Sequence, residues 1–400
     1  MPNTADFLVI GGGVIGLNLA LAIKQRYPGD RVTLLDKEKA FGLHASGRNS
    51  GVLHAGFYYT ADSLKARFTR EGNRALTEYC EDRNLRINRC GKLVVAKGPE
   101  DLNGLDELLQ RARHNDVDLY EVTEKEAREI EPRVKTYDRA LFSPTTSSVN
   151  PCQVMESLVS DAEDAGIQLL PDTAYVGRKR EAICTTKGLI SAGFIVNAAG
   201  LYADKIARDF GFSEDYQVLP FKGLYLCGNE PPGSMRTHLY PVPNLKNPFL
   251  GVHFTVTVEG KVKIGPTATP ALWRENYDGL SNFKLSEFLE TFGWEMKLFL
   301  KDDFGFRQLA FDEIQKHFKS RMVEQASRLA EGVRKEHYTK WVKPGIRAQL
   351  LNIKDRKLEM DFCIEGDERS LHVLNAVSPA FTCSIPFSKY VIEQIACIHC

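Results

Sequence analysis

Three glycines near the start of the chain, Gly11, Gly13 and Gly16, stand in the spacing G-x-G-x-x-G. That spacing suits phosphate chemistry. The first glycine permits a tight turn, the second lets a pyrophosphate approach the backbone, and the third lets a helix pack closely on a strand. The phosphate charge then rests against the free N–H groups of the helix N-terminus. Asp36 follows about 20 residues later, where a carboxylate would hold a ribose hydroxyl. Downstream, "SGRNSGVLHAGFYY" (46–59) sets glycines and serines beside His54 and two tyrosines. "VNAAG" (196–200) repeats the small-residue theme. A flat ring system lying against the backbone would need such a path, with bare N–H groups and little side-chain bulk.

The elements that must position these residues are legible. "DFLVI" reads as a short apolar strand, "LNLALAIKQRY" as a helix that Pro28-Gly29 ends, and "RVTLLD" as a second buried strand. This βαβ unit implies a right-handed crossover and parallel strands. A nicotinamide dehydrogenase would continue through further such units. Here the chain enters the small-residue path directly, which favours the isoalloxazine of FAD.

Polar-faced helices over about 62–90 and 100–130 flank the strand "GKLVVA". "CQVMESLVSDAEDAG" reads as a helix and "ISAGFIVNAAG" as a buried strand. From about Pro220 to Gly265 strands alternate with turns, as in an antiparallel sheet. Residues about 283–340 read as helical, and the end returns to a strand, a small-residue loop and a helix. The fold class expected is α/β, a Rossmann-type FAD-binding domain with an interleaved antiparallel-sheet (α+β) substrate domain. Its parts divide as 1–90, 150–215 and 341–400 for FAD, and 91–149 and 216–340 for substrate.

The totals agree with an ordinary globular protein. Four hundred residues exceed one compact core, and a formal net charge of +0 gives no support to nucleic-acid binding. Nine cysteines lie scattered without a C-x-x-C pair other than the terminal one, which reads as reduced thiols, and no metal site is expected. The terminal "CIHC" reads as a frayed tail rather than a metal ligand set. The N-terminus shows neither a secretory nor a transit pattern, so a cytoplasmic location is expected.

With these motifs in place, the chain resembles the D-amino-acid-oxidase-like FAD oxidoreductases, and within them the L-2-hydroxyglutarate oxidase/dehydrogenase family. The likeness runs through "GGGVIGLNLA", "NSGVLHAGFYYTADSLKARFTREGNRALTEYC", "CGKLVVA", "VNAAGLYAD", "YPVPN", "PFLGVHFT", "GPTA", "GIRAQL" and "NAVSPAFTCSIP". Residues about 271–340 match poorly. The resemblance implies oxidation of the Cα–OH of an L-2-hydroxy acid to a 2-oxo acid, with hydride passing to flavin N5. Oxygen or a membrane quinone then takes the electrons. It further implies cofactor contacts from Gly11, Gly13, Gly16, Asp36, Lys37, Ser46, Gly47, Ser50, Gly51, Tyr175, Ala198, Gly200, Gly345, Ser378, Pro379 and Ala380.

That reaction needs a base for the hydroxyl proton, and histidine suits neutral pH. His253 is preferred, because a sheet roofing the flavin presents alternate side chains to the ligand. His54 would shape the flavin face or tether the flavin covalently. A dicarboxylate needs cationic anchors, and Arg347 is the first choice because a guanidinium grips a carboxylate with two parallel hydrogen bonds. Lys222 and Arg48 follow, with Tyr58, Tyr59 and Thr267 completing the substrate set.

Several positions depart from the family's pattern: Lys222 for Arg, Leu224 for an acid, Thr267 for Asn, and the bulkier Val377 and Phe381. An amino acid, a glycine derivative or glycerol 3-phosphate is the alternative donor, and a flavin-binding protein without turnover the alternative class. Between Gln315 and Lys343, eight Lys/Arg stand against three Glu with aromatic residues between. This segment is either a solvated helix face or a basic surface for anionic lipid.

Overall fold

The computed structural model describes residues 3–243 and 250–398. Asn244, Pro248 and Phe249 of the motif blocks, and His399 and Cys400 of the terminal tail, lie outside the described residues. The first strand, Asn3–Ile10, is apolar from Phe7 to Ile10, where both its faces are covered. Phe7 and Val9 enter one core cluster, and Leu8 and Ile10 enter another on the opposite face. It pairs in parallel with Val32–Leu35 on one side and Gly188–Asn197 on the other. Eight strands form this sheet, including Gln168–Leu170, Ser370–Asn375 and the antiparallel strands Tyr175–Lys179, Ala182–Thr185 and Cys363–Gly366. Helices Val14–Arg26, Pro151–Asp164 and Ala380–Ile398 supply residues to the first of these clusters.

A second eight-stranded sheet roofs the cavity. In order it runs Tyr338–Trp341, Leu226–Gly228, Val262–Gly265, His253–Val256, His238–Pro241, Lys92–Val95, Arg139–Ser143 and Tyr120–Thr123. All its pairs are antiparallel except His238–Pro241 with Lys92–Val95. Alternation divides its side chains. Leu93, Val95, Leu239, Phe254 and Val256 pack into one cluster, while Val94 and Tyr240 join Phe57 and Tyr58 on the other face. The face carrying Tyr240 therefore also carries Lys92, His238 and His253.

A third sheet pairs Tyr216–Gly223 with Gly345–Asn352, so the segment 341–400 is shared among all three of these sheets. The helices Leu285–Lys301, Phe306–Gln315 and Lys319–Ser327 lie in the region expected to be helical, but its end does not follow: Tyr338–Trp341 pairs as a strand with Leu226–Gly228. A buried ion pair ties the inserted region to the first sheet's flank. Asp204 and Arg274 are almost fully buried and meet through two parallel bonds of 2.6 and 2.8 Å. No helix among the described residues is long and apolar enough to cross a membrane.

Candidate active site

One long cavity of about 1350 Å³ runs from the glycine loop to the second sheet. That exceeds the roughly 300–1,000 Å³ of a drug-sized ligand site, so a dinucleotide and a small donor fit together. At its nucleotide end Gly11 and Gly13 line the wall. Gly11 has φ +107°, and a Cβ there would lie 2.6 Å from the Ala198 carbonyl oxygen. Gly16 does not line the cavity: a Cβ on it would meet the Gly11 carbonyl oxygen at 1.8 Å, so its role is to let helix and turn touch. Asp36 lines the wall and accepts from the backbone N–H groups of Gly12 (2.7 Å) and Glu38 (2.8 Å). Burial pushes its carboxyl up, against those two bonds.

Lys37 also lines this end and bridges Glu38 and Glu275 at 2.5 and 2.7 Å. Burial opposes its charge, but the two carboxylates outweigh burial and raise its pKa. Potential metal-ligating atoms of Glu38, His44 and Glu275 lie within 4.8 Å of one another. The Lys37 ammonium already bridges its two carboxylates and offsets one of their two charges.

Part of the small-residue path lies on the cavity wall. Ser46, Ser50 and His54 line the cavity, together with Gly345, Ser378, Pro379 and Ala380. The Ser46 hydroxyl accepts from Val14 N–H at 2.9 Å, joining the path to the start of the first helix. Tyr175, Ala198 and Gly200 complete the wall. Gly47 and Gly51 stand behind it, bound through their backbones to Gly42 and Val149. Close backbone approach also explains Gly345, where a Cβ would lie 2.6 Å from the Arg48 carbonyl oxygen.

At the far end His253 is buried and lines the cavity. Its Nδ1 lies 2.8 Å from the Gly251 carbonyl oxygen. A carbonyl only accepts, so Nδ1 carries the proton and Nε2 the lone pair. Burial, with help from the nearby Lys92 and Arg347 cations, pushes His253 down to about 3, so the imidazole is neutral. Its ring stacks on Tyr240 with centroids 3.7 Å apart. His54 faces the same space; its Nδ1 is buried without a hydrogen-bond partner among the described residues, as is the Tyr58 hydroxyl. Burial and Lys92 hold His54 well below its ordinary value.

Arg347, Arg48, Tyr58 and Tyr59 reach the cavity, whereas Lys222 and Thr267 do not line it. The strand register explains Lys222. It pairs with Ile346, while Phe221 pairs with Arg347, so alternation points Lys222 away from the face of Arg347. Thr267 is buried; its hydroxyl donates to the Lys222 carbonyl at 3.0 Å and accepts from Leu224 N–H at 3.1 Å. It reaches the site indirectly, since its carbonyl accepts from Arg347 Nη1 at 3.4 Å. Arg48 donates to the Leu43 carbonyl at 2.7 Å and lies over the Tyr277 ring.

Sequence reasoning passed over Lys65, Lys92, Tyr225 and Tyr240. Lys65 and Tyr225 line the cavity as Tyr240 does, and burial pushes the Lys65 ammonium down to about 8. For Lys92 a signal was available, because a lysine on the alternating apolar face of "GKLVVA" is out of place.

A glycine loop, a ribose-side carboxylate, a small-residue bed and a neutral histidine across one cavity define a dinucleotide-dependent oxidoreductase. FAD fits these residues: there is room for its length, the glycines permit backbone approach, and buried polar atoms of His54 and Tyr58 face the cavity without partners. Residues 6–394 match the FAD dependent oxidoreductase family, and the chain belongs to it. It is 31% identical to the L-2-hydroxyglutarate dehydrogenase of Escherichia coli K12, covering 98% of this chain and 93% of that protein. It is 34% identical to the Indibacter alkaliphilus enzyme of the same name (96% and 97% covered) and to the mitochondrial mouse enzyme (96% and 87%). Among solved structures, the L-alpha-glycerophosphate oxidase of Mycoplasma pneumoniae with FAD bound superposes with a TM-score of 0.79 at 19% identity, covering 98% of this chain and 95% of that one. The glycine oxidase of Geobacillus kaustophilus gives 0.74 at 18%, with the same coverage.

Proposed function

We propose that the protein oxidises L-2-hydroxyglutarate to 2-oxoglutarate, with His253 as the base and Arg347 as a carboxylate anchor. The carrying observation is the His253 tautomer: the Gly251 carbonyl holds the Nδ1 proton and leaves the Nε2 lone pair for the donor's hydroxyl. FAD, when bound, supplies the two-electron acceptor. His253 takes the hydroxyl proton as the Cα–H bond breaks. Arg347, which lines the same cavity, fixes a carboxylate so that Cα is presented in one orientation. Tyr58 and Tyr59 line the cavity on the Tyr240 side and limit water there.

The electrons pass to a membrane quinone in this reading, and the molecule docks by the helix Leu285–Lys301. That helix buries Glu287, Thr291 and Glu295 and exposes Leu285, Leu289, Phe292, Met296 and Leu300 along one ridge. Phe311, Ile314 and Phe318 extend the exposed apolar surface. The basic segment 315–343 serves less well. Its Met322, Leu329 and Tyr338 are packed into the substrate-side core, which leaves most of its cations on a solvated face.

Anaerobic mixing of the yellow enzyme with candidate donors tests the reaction. L-2-hydroxyglutarate should bleach the flavin quickly, while the D-isomer, glycine, other amino acids and glycerol 3-phosphate should not. Fast bleaching by one of the others, or by none, overturns the assignment. Co-sedimentation with anionic vesicles tests the docking; Leu289→Glu with Phe292→Glu should abolish it, and unchanged binding refutes that face.

A further inference from the structure

Lys92 is fully buried, and its ammonium nitrogen has no hydrogen-bond partner among the described residues. Three aromatic rings enclose it instead. Nζ lies 4.4 Å from the ring centroid of Tyr240, 5.1 Å from Tyr58 and 5.5 Å from Phe57. Tyr240 sits on the strand between those of Lys92 and His253. Its ring is thus flanked by the ammonium on one side and by the stacked imidazole of His253, at 3.7 Å, on the other.

We propose that Lys92 is a positioning residue for the oxidation: through the Tyr240 ring it fixes the plane of His253 and sets how readily that imidazole accepts the donor's proton. The inference rests on His253 being the base, as proposed above. A cation is attracted to the face of an aromatic ring, and strongly so when desolvated. Protonating His253 puts a second positive charge across the same ring, no more than about 8 Å from the first. At an effective dielectric of about 20, a unit charge at that distance moves a neighbour's titration by about 1.5 pH units. Lys92 and His253 therefore resist being charged together.

The titratable groups facing Lys92 are Cys90 just before its own strand, His238 and Tyr240 on the next strand, His253 beyond, and His54 and Tyr58 on the loop. Arg347 and Lys316 also act on His253, and Lys263 on His238. Burial pushes Lys92 itself down to about 7, so its charge changes across the working pH range.

The test is the rate of anaerobic flavin reduction at saturating L-2-hydroxyglutarate between about pH 5.5 and 9.5. Wild type should show a step near pH 7, rising about fivefold as Lys92 loses its proton and His253 becomes the stronger base. Lys92→Met, uncharged and of similar shape, should hold the upper rate throughout. Lys92→Arg, always charged, should hold the lower one. A purely structural role would not flatten the profile at two opposite levels. Imidazole NMR of the oxidised enzyme without donor reads the same effect: the His253 midpoint should rise by about 1.5 pH units in Lys92→Met and stay put in Lys92→Arg. A flat wild-type profile overturns the proposal without any variant, and so does an unmoved His253 midpoint in Lys92→Met. His253→Asn separates the two claims. Fast reduction in that variant removes the base assignment, whereas slow reduction with a wild-type step retained in Lys92→Met removes Lys92 alone.

Discussion

Replacing His253 by asparagine separates chemistry from folding. An asparagine amide keeps a donor for the Gly251 carbonyl, now at 2.8 Å from His253 Nδ1, but offers no proton-accepting nitrogen. Loss of a positioned base costs about 10²–10⁴ in rate, or roughly 3–5 kcal/mol of barrier. The lost stack on Tyr240 costs only about 0.5–1.5 kcal/mol of stability. A second readout follows from protonation. An unfolded imidazole titrates near about 6.5, while burial pushes His253 down to about 3 in the fold. Between those values the unfolded chain binds the extra proton, so wild-type stability is lost as pH falls through that window. Each pH unit is worth about 1.36 kcal/mol, and His253→Asn removes this contribution. Stopped-flow bleaching with L-2-hydroxyglutarate and urea denaturation at pH 7 and 5 measure both. Flavin reduction within tenfold of wild type refutes the base assignment. Equal stability losses on acidification in the two proteins refute the buried neutral imidazole.

Gly16→Ala should purify with little flavin, because its Cβ would overlap the Gly11 carbonyl oxygen and displace the phosphate turn; the ratio of flavin to protein absorbance checks this. Arg274→Met strands the fully buried Asp204 and should cost about 3–5 kcal/mol in chemical denaturation. Burial pushes Glu295 up to about 8, so the folded state keeps its proton where the unfolded chain releases it. Wild type therefore loses stability as pH rises from about 4.5 to 8, and Glu295→Gln should be the more stable protein at pH 8.5 but not at pH 4.

The nucleotide end was legible because each of its signals is local. Gly11, Gly13 and Gly16 act within one turn and the helix it opens, and Asp36 follows at the end of the next strand. The small-residue run from Ser46 to His54, part of which lines the cavity, stood out for the same reason, its composition being unusual over a short stretch. The substrate end was harder. Lys222 and Arg347 look equivalent as isolated cations, and only the pairing of Tyr216–Gly223 with Gly345–Asn352 turns one into the cavity and the other away. Nor does any local pattern announce that the apolar ridge of Leu285–Lys301 faces outward while Glu295, 8% exposed, faces in.

What the sequence by itself determined is the class of chemistry: a dinucleotide on a glycine loop, a flat cofactor on a small-residue path, and a histidine on a roofing sheet. Those depend on spacing along the chain, which folding preserves. What only the tertiary structure decided is how distant residues share one environment. Lys92 lies far in sequence from Tyr240 and His253, yet three neighbouring strands stack them ammonium to ring to imidazole. The protonation state of His253 is set by that burial and by the charge beside it, and both exist only after the sheet has formed.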